Sequence, residues 1–510
     1  MMSGLSEREA TIGLDLGTTS IKAVAFDTAG QAIAQAARPA GLKRGADGAA
    51  ELDPNSVAEL AEAALAEAAR VASQAGYHTR RIGISAAMHS LIPVTTDGAA
   101  LMDALTWADL RPQAEAAELW RSPAGPAIYA RTGTPVHAMS PLVKLIWLKR
   151  ARPDIFERAA MFIGLKEWLW NRWFGEWAVD ASLASATGLY NLTSGQWDPE
   201  ALALAGITAE RLPRLVPTTY ARADLPEATA RRLGLAPGTM IAIGASDGTL
   251  ANLGVGAIDE RFLALTAGTS LAVRRGVVTP TTNPETRVFC YVLGPDRFIT
   301  GAASNNGGDA LEWLYRDLLT RWGAPAAGGL AQALDEARTA TADGLTFLPY
   351  IAGERAPLWT DATLGALVGL RAEHTATDAL RAAVEGVLFN AAWLIEQVTA
   401  NSGAPDAIIT TGGVFQSAWI AELGSNIFGA PVIAASAEDA SARGAALLAE
   451  IAAGTHTWQS ATAQAAVQPA QAQRFTPNNA EVARYREKYR RFRALVATLE
   501  PEQEHRSSVE

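Results

Sequence analysis

Two stretches of this 510-residue chain share one design. "TIGLDLGTTSIKAVAFD", residues 11–27, runs an apolar strand into Gly-Thr-Thr-Ser and out into a second apolar strand, and "RFLALTAGTSLAVRRGV", residues 261–277, repeats it around Gly-Thr-Ser. One such hairpin opens each half of the chain, which predicts two similar lobes facing each other across a cleft near residue 255, although Gly-Thr-Ser is also an ordinary turn composition. The length fits, because a chain this long exceeds one compact core. Turns of Gly, Thr and Ser present backbone N–H groups and hydroxyls in a concave seat suited to phosphate oxygens. Asp15 stands at the edge of the first seat, where a bare carboxylate would repel a phosphate. Two readings are open: the carboxylate hydrogen-bonds its own turn, or a divalent cation such as Mg2+ sits between it and the phosphate.

Composition narrows the remaining classes. Hydrophobic residues make up 49% of the chain and charged residues 19%, the balance of a globular protein with substantial cores. A net charge of -10 leaves no basic excess for neutralising nucleic-acid phosphates, so no nucleic-acid partner is expected. The single cysteine, Cys290, excludes an internal disulfide framework, fits a reducing compartment and reads as a core residue in "RVFCYVL". "MMSGLSEREA" lacks the apolar stretch of a secretory signal, and no run of about 18 apolar residues predicts a membrane span, so a cytoplasmic location without a membrane partner is expected. No Gly-x-x-x-x-Gly-Lys-Ser/Thr loop occurs and no Gly-x-Gly-x-x-Gly follows a strand. The six histidines are scattered, which argues against a histidine metal centre.

Periodicity places the elements. The first hairpin continues through "DTAG" into "QAIAQAA" as an antiparallel meander. "PNSVAELAEAALAEAARVASQAG" carries apolar residues at helical spacing and stops at Gly76. "RRIGISAAMHS" reads as a strand ending near Met88 and His89. Residues 110 to 235 read as helical and tryptophan-rich, with Trp168, Trp170, Trp173 and Trp177 expected mainly in the core. "GTMIAIGASDGTLANLG" supplies a strand, a Gly-Ala-Ser-Asp-Gly turn and a helix start. Asp247 sits in that turn, where it is either a plain turn residue or a carboxylate able to take the proton of an attacking hydroxyl. Further on, "TDALRAAVEGVLFNAAWLIEQVTANSG" is a helix ending at Gly403, "DAIITTGGVFQSAW" a strand, double glycine and helix start, and the C-terminus an amphipathic helix with a charged tail expected to fray.

"IGLDLGTTSIKAVAFD", "GASDGTLANLGVGA", "ALTAGTSLAVR", "GERAPLWTDATLGALVGL" and "TTGGVFQSAWIAELGSNIFGAPV", in this order over nearly the whole chain, resemble the successive motifs of the FGGY carbohydrate kinases. The resemblance implies an α/β protein of two actin-like, ribonuclease-H-like lobes, each a mixed sheet flanked by helices, with ATP and Mg2+ in the interlobe cleft. The domains expected are 1–255 for sugar binding and the first phosphate hairpin, 256–490 for nucleotide binding, and 491–510 as helix end and tail. By the same resemblance Asp15 orients Mg2+, Gly17, Thr18 and Thr19 face the transferred phosphate, and Gly268, Thr269 and Ser270 form the second phosphate hairpin. Asp247 is the implied general base. Gly307, Gly308, Gly412, Gly413 and Ser417 correspond to segments enclosing ribose and adenine.

Finer segments, "SAAMHSLIPVTTDG", "LTWADLRP" and "RTGTPVHAMSPLVKLIWLK" among them, resemble the gluconate kinases of that family more than its xylulose kinases. Substrate contacts are then expected from Met88, His89, Trp107, Asp109 and Arg111, beside Asp247. A sugar acid needs a cation: Arg111 is the first candidate, while Lys144 and Lys166 read equally well as solvated helix faces. His89 and His137, taken alone, read as structural. The implied partners are ATP and gluconate, with a homodimer as a family-level expectation. Two other readings stand: a xylulokinase or other polyol kinase, differing only in the first-half contacts, and a non-enzymatic actin-like ATP-binding protein, against which Asp247 argues.

Overall fold

A computed structural model describes residues 8–499 apart from 322–327, 361, 401, 436–438 and 467–471. The charged C-terminal tail lies outside the described residues. Two compact units result. The first gathers residues up to 258 with 276–300 and 439–466, and the second gathers 259–275, 301–438 and the chain after 466. The division is therefore not a single cut near residue 255: two later segments return to the first unit.

The first unit is built on a mixed six-stranded sheet. β1 (Arg8–Leu16), β2 (Ser20–Asp27) and β3 (Ala32–Pro39) form the antiparallel meander, with Asp15 opposite Lys22 in register. α1 (Pro54–Gln74) then crosses to β4 (Tyr77–Ala86), which lies parallel to β1 and sets Ser85 beside Asp15. The start of α1 is fixed by Asp53, whose carboxylate accepts from the amides of Asn55 and Ser56, a cap worth about 1 kcal/mol. Its apolar stripe of Val57, Ala61, Leu65, Ala68 and Ala72 is buried, and Gly76 turns the chain at φ 81° just after the last turn. α2 (Leu165–Phe174) carries Trp170 and Trp173, both fully buried. Trp168 and Trp177 are partly buried and pack on each other, so the cluster is core as expected. β5 (Met240–Ser246) adds on the far side of β4, parallel to it, and the two-residue strand Ala221–Arg222 closes that edge.

The chain does not turn at Gly-Ala-Ser-Asp-Gly. β5 runs through Ser246 directly into α3 (Asp247–Gly254), because the Ser246 hydroxyl caps the helix by accepting from the Thr249 amide. Asp247 is thus the first helical residue at a strand end.

The helix Ala440–Ala452 seals one face of this sheet at unusually close range. A Cβ on Gly13 would come within 1.8 Å of the Ala442 carbonyl oxygen, and one on Gly83 within 1.9 Å of that of Ala445. Gly444 and Gly254 permit the same approach between this helix and α3. Four glycines thereby trade side-chain burial for backbone contact, which only hydrogen at Cα allows.

In the second unit β6 (Phe262–Ala267) pairs antiparallel with β7 (Leu271–Val277) through the second hairpin and parallel with β8 (Ala407–Thr411). β9 (Val432–Ala434) and the antiparallel β10 (Gln473–Phe475) extend the order, so this sheet is mixed as well. α4 (Ala376–Thr399) begins at a capping box of Thr375 and Asp378 and is buried almost all round. α5 (Ala418–Phe428) flanks the sheet, and α6 (Asn479–Leu499) packs on α5 and α4, contributing Tyr485 and Phe492 to the core. The two-lobed α/β architecture with a helix-flanked mixed sheet in each unit agrees with the sequence expectation.

Cys290 is buried and free, and burial pushes its thiol up to about 12, the state of a packing residue. Among the described residues no helix is long and apolar enough to cross a membrane.

Candidate active site

In the first unit the ends of β1, β4 and β5 bring acidic groups together. Asp15 accepts a 2.6 Å hydrogen bond from the Ser85 hydroxyl on the neighbouring strand. Burial, and then the charge of Asp247, push its carboxyl from 3.8 up to about 6, against the pull of Ser85 and Lys22. The field of Asp247 reaching Asp15 means that the two carboxylates predicted from separate motifs share one locality. Asp247 receives its own Gly248 amide at 2.7 Å, and the Ser441 hydroxyl donates to its backbone carbonyl. Lys22, opposite Asp15, pairs with Asp439 at 3.2 Å. Asp439 adds a further negative field at Asp15. Sequence reasoning passed over Asp439, because it joins only through the return of the helix Ala440–Ala452, some 190 residues beyond Asp247 in sequence.

These groups fit Mg2+, which takes one or two carboxylates and completes its shell with water and phosphate oxygens. Mutual repulsion between half-buried acids is what a divalent cation relieves, and among the described residues no cluster of three or more His, Cys, Asp and Glu forms an all-protein metal cage.

Gly17, Thr18 and Thr19 form the turn between β1 and β2, with the Thr19 side chain exposed. The Trp107 indole N–H donates to the Thr18 hydroxyl at 3.1 Å, tying the "TWADLRP" loop to the first hairpin. His89 adopts φ 70°, a left-handed conformation rare for non-glycine residues, and its Nδ1–H donates to the Ala186 carbonyl at 2.7 Å. Met88 packs half-buried against the main core.

Three cations expected near a sugar acid are placed differently from the sequence reading. The Arg111 guanidinium already bonds both oxygens of the fully buried Asp109 and also Glu51, and lies over the Trp147 ring. These two acids hold its charge in place and raise its pKa despite burial. Asp109 itself also accepts from the Ala50 amide, so it organises this loop. Lys144 is no solvated helix face: it is fully buried and its ammonium donates to the carbonyls of His89 at 2.5 Å and Thr106 at 2.6 Å. One side chain thereby joins the two loops that carry His89 and Trp107, and burial lowers its amine from 10.5 to about 7. Lys166 is equally buried, paired with Asp180 at 2.6 Å and donating to the Ala245 carbonyl two residues before Asp247. Amphipathic spacing could not reveal these roles, since both lysines sit at positions facing the interior and only tertiary partners explain them.

In the second unit the glycines group around the second hairpin. The Gly308 amide donates to the Gly268 carbonyl at 2.6 Å and the Asp309 amide to that of Thr269 at 3.2 Å. Gly412, at φ 95°, leaves no room for a side chain, since a Cβ would meet the Ala267 carbonyl oxygen at 2.4 Å. Gly268, Thr269, Ser270, Gly307, Gly308 and Gly412 are therefore neighbours. Gly413 follows Gly412 in the same exposed turn, and Ser417 begins α5. Behind Gly307 lies a buried network the sequence reading did not assign: Glu354 accepts from the Asn305 amide, the Ser304 hydroxyl and the side-chain amides of Asn306 and Asn390. Burial pushes Glu354 up to about 7 against those donors.

A helix-flanked mixed sheet in each of two units, each sheet carrying a Gly-Thr-Ser type hairpin, with paired carboxylates at the strand ends of the first, is the architecture of a carbohydrate kinase. Residues 10–254 match the N-terminal domain, and residues 263–453 the C-terminal domain, of the FGGY family of carbohydrate kinases, and the chain belongs to that family. The chain is 37% identical over 449 residues to a gluconokinase of Bacillus subtilis, with 86% of each chain covered. A xylulose kinase of the same organism is 26% identical over 444 residues, covering 87% of this chain and 88% of that one. Among solved structures, a gluconate kinase of Lactobacillus acidophilus superposes with a TM-score of 0.90 at 31% identity, covering 96% of this chain and 99% of that one.

Proposed function

We propose that this kinase transfers the γ-phosphoryl group of ATP to the terminal hydroxyl of D-gluconate, giving 6-phosphogluconate and ADP. The observation that carries the reading is that Asp15 and Asp247 stand at the ends of β1 and β5, on either side of β4, near enough for the charge of Asp247 to act on Asp15. The likeness to gluconokinases supports the choice of substrate. Asp247 orients the acceptor hydroxyl and takes its proton as the oxygen bonds to the γ-phosphorus and the bond to the β-phosphate oxygen breaks. Mg2+, held by Asp15, would supply positive charge to the phosphoryl oxygens. Gly17, Thr18 and Thr19 in the first unit offer backbone and hydroxyl donors to phosphate oxygens, and Gly268, Thr269 and Ser270 in the second offer a like set. Gly307, Gly308, Gly412, Gly413 and Ser417 enclose the nucleoside. Met88, His89, Trp107, Asp109 and Arg111 form the sugar side, where Lys144 fixes the two contributing loops relative to each other.

A second reading, xylulose phosphorylation, is favoured by one observation: a xylulose kinase of Lactobacillus acidophilus also superposes with a TM-score of 0.90 at 31% identity. Coupled ADP-release assays with gluconate, xylulose, ribulose and glycerol separate the two. We expect kcat/KM to be highest for gluconate. A higher value for a ketose or polyol would overturn the substrate, and near-normal turnover by Asp247→Asn would overturn the base.

A further inference from the structure

The first unit holds a cavity of about 130 Å³ at the opposite end of β1 from Asp15. Thr11, four residues before Asp15 and hence about 13 Å away along the strand, lines it. Glu450, eleven residues after Asp439 on the helix Ala440–Ala452, lines it too, about 16 Å along that axis. None of Asp15, Ser85, Asp247 and Asp439 lines it, and its nearest approach to that site is Arg443, four residues after Asp439.

Its lining divides into satisfied and unsatisfied groups. Phe26, Ala446 and Leu447 make an apolar floor. Five charges face it: Glu9, Asp27, Glu450, Arg81 and Arg443. The three acids are engaged. Glu9 and Glu450 both pair with Arg81, Glu450 also accepts from the hydroxyls of Thr11 and Thr455, and Asp27 accepts from the amides of Ala29 and Gln31. Arg443 differs. It donates only to the Gly30 carbonyl, lies over the Phe26 ring and makes no ion pair among the described residues. Burial disfavours its charge and lowers its pKa, against the opposing field of Asp439. Beside it, the buried Nδ1 of His456 and Oε1 of Gln464 have no hydrogen-bond partner.

A half-buried guanidinium that makes no ion pair among the described residues, with the unpartnered His456 Nδ1 able to donate and an apolar floor below, offers a seat to an anion with an apolar body. We infer that this cavity is a binding site for a small monocarboxylate of about one ring in size, its carboxylate on Arg443 and His456 and its body on Phe26, Ala446 and Leu447. An aromatic ring matches the volume, since a cavity of about 150 Å³ accommodates benzene.

Benzoate is the probe, titrated into the full chain by calorimetry and by ligand-observed NMR, with benzamide as the neutral isostere. We expect saturable binding of one benzoate per chain and at least tenfold weaker binding of benzamide. Arg443→Met should weaken benzoate at least tenfold, as loss of a charge-assisted pair implies. Leu447→Trp, which fills the cavity without touching the charge, should abolish binding, while Asp247→Asn should bind benzoate like the parent. Absence of saturable binding, equal affinity for benzamide, unchanged affinity in a folded Arg443→Met or Leu447→Trp chain, or loss of binding in Asp247→Asn would each overturn the assignment.

Discussion

Replacing Lys166 with Met should be among the most damaging single changes in the first unit, and the structure gives the size of the effect. The ammonium and Asp180 lie 2.6 Å apart with both side chains fully buried. At an effective dielectric constant of about 20 such a pair attracts by roughly 6 kcal/mol, offset by the desolvation of both ions. Removing one partner leaves the other charge stranded, which typically costs about 3 to 5 kcal/mol. The Asp180 carboxylate also caps the following short helix by accepting from the amides of Ser182 and Leu183, so its position is fixed from both sides. It also sits near Glu167, whose carboxyl burial and Asp180 already push up to about 7.

The assay is chemical denaturation followed by tryptophan fluorescence, since Trp170 and Trp173 lie on the same helix as Lys166 and report its unfolding directly. Adding Asp180→Asn, which keeps a capping oxygen, should restore at least half the loss. A Lys166→Met chain within about 1 kcal/mol of the parent at pH 8, or a double variant no better than the single, would refute the reasoning.

Four further outcomes are expected. Asp247→Asn should lower kcat by about 10²- to 10⁴-fold with an unchanged circular dichroism spectrum and melting curve shape, measured by coupled ADP release. Gly83→Val should abolish cooperative thermal unfolding of the first unit, because its Cβ position lies 1.9 Å from the Ala445 carbonyl oxygen. Lys144→Met should raise KM for the sugar substrate more than KM for ATP. The buried amine titrates near 7 when folded against 10.5 ordinarily, so the parent should gain stability as pH rises between those values, a slope that this variant loses and that denaturant titrations at stepped pH will reveal. Glu354, raised from 4.5 to about 7, has the opposite sign: its contribution to stability falls as pH rises through that window, and Glu354→Gln should flatten that part of the curve.

The strand ends were legible because they obey local rules. An acid breaking an apolar run before Gly-Thr-Thr-Ser, and another between small residues after a strand, are features of adjacent residues, and the charge of Asp247 reaches Asp15 in the fold. The meander, α1 and its stop at Gly76 follow from alternation, helical spacing and glycine in the same way. Asp439 and Glu354, and the buried linking roles of Lys144 and Lys166, were illegible for a shared reason: each acquires meaning only from partners distant in sequence, and a buried lysine bonded to carbonyls carries the same letter as a solvated one. Arg111 shows the converse. The sequence singled out a cation, and the fold surrounds it with two acids that no spacing rule placed there.

The helix Ala440–Ala452 belongs by packing to a sheet whose strands are all complete by residue 246. During synthesis that sheet must wait for nearly two hundred further residues before the face bearing Gly13 and Gly83 is covered. A nascent chain halted before this helix would emerge with a bare strip of backbone in place of its closing layer, so the first half of the gene should not yield a self-sufficient product.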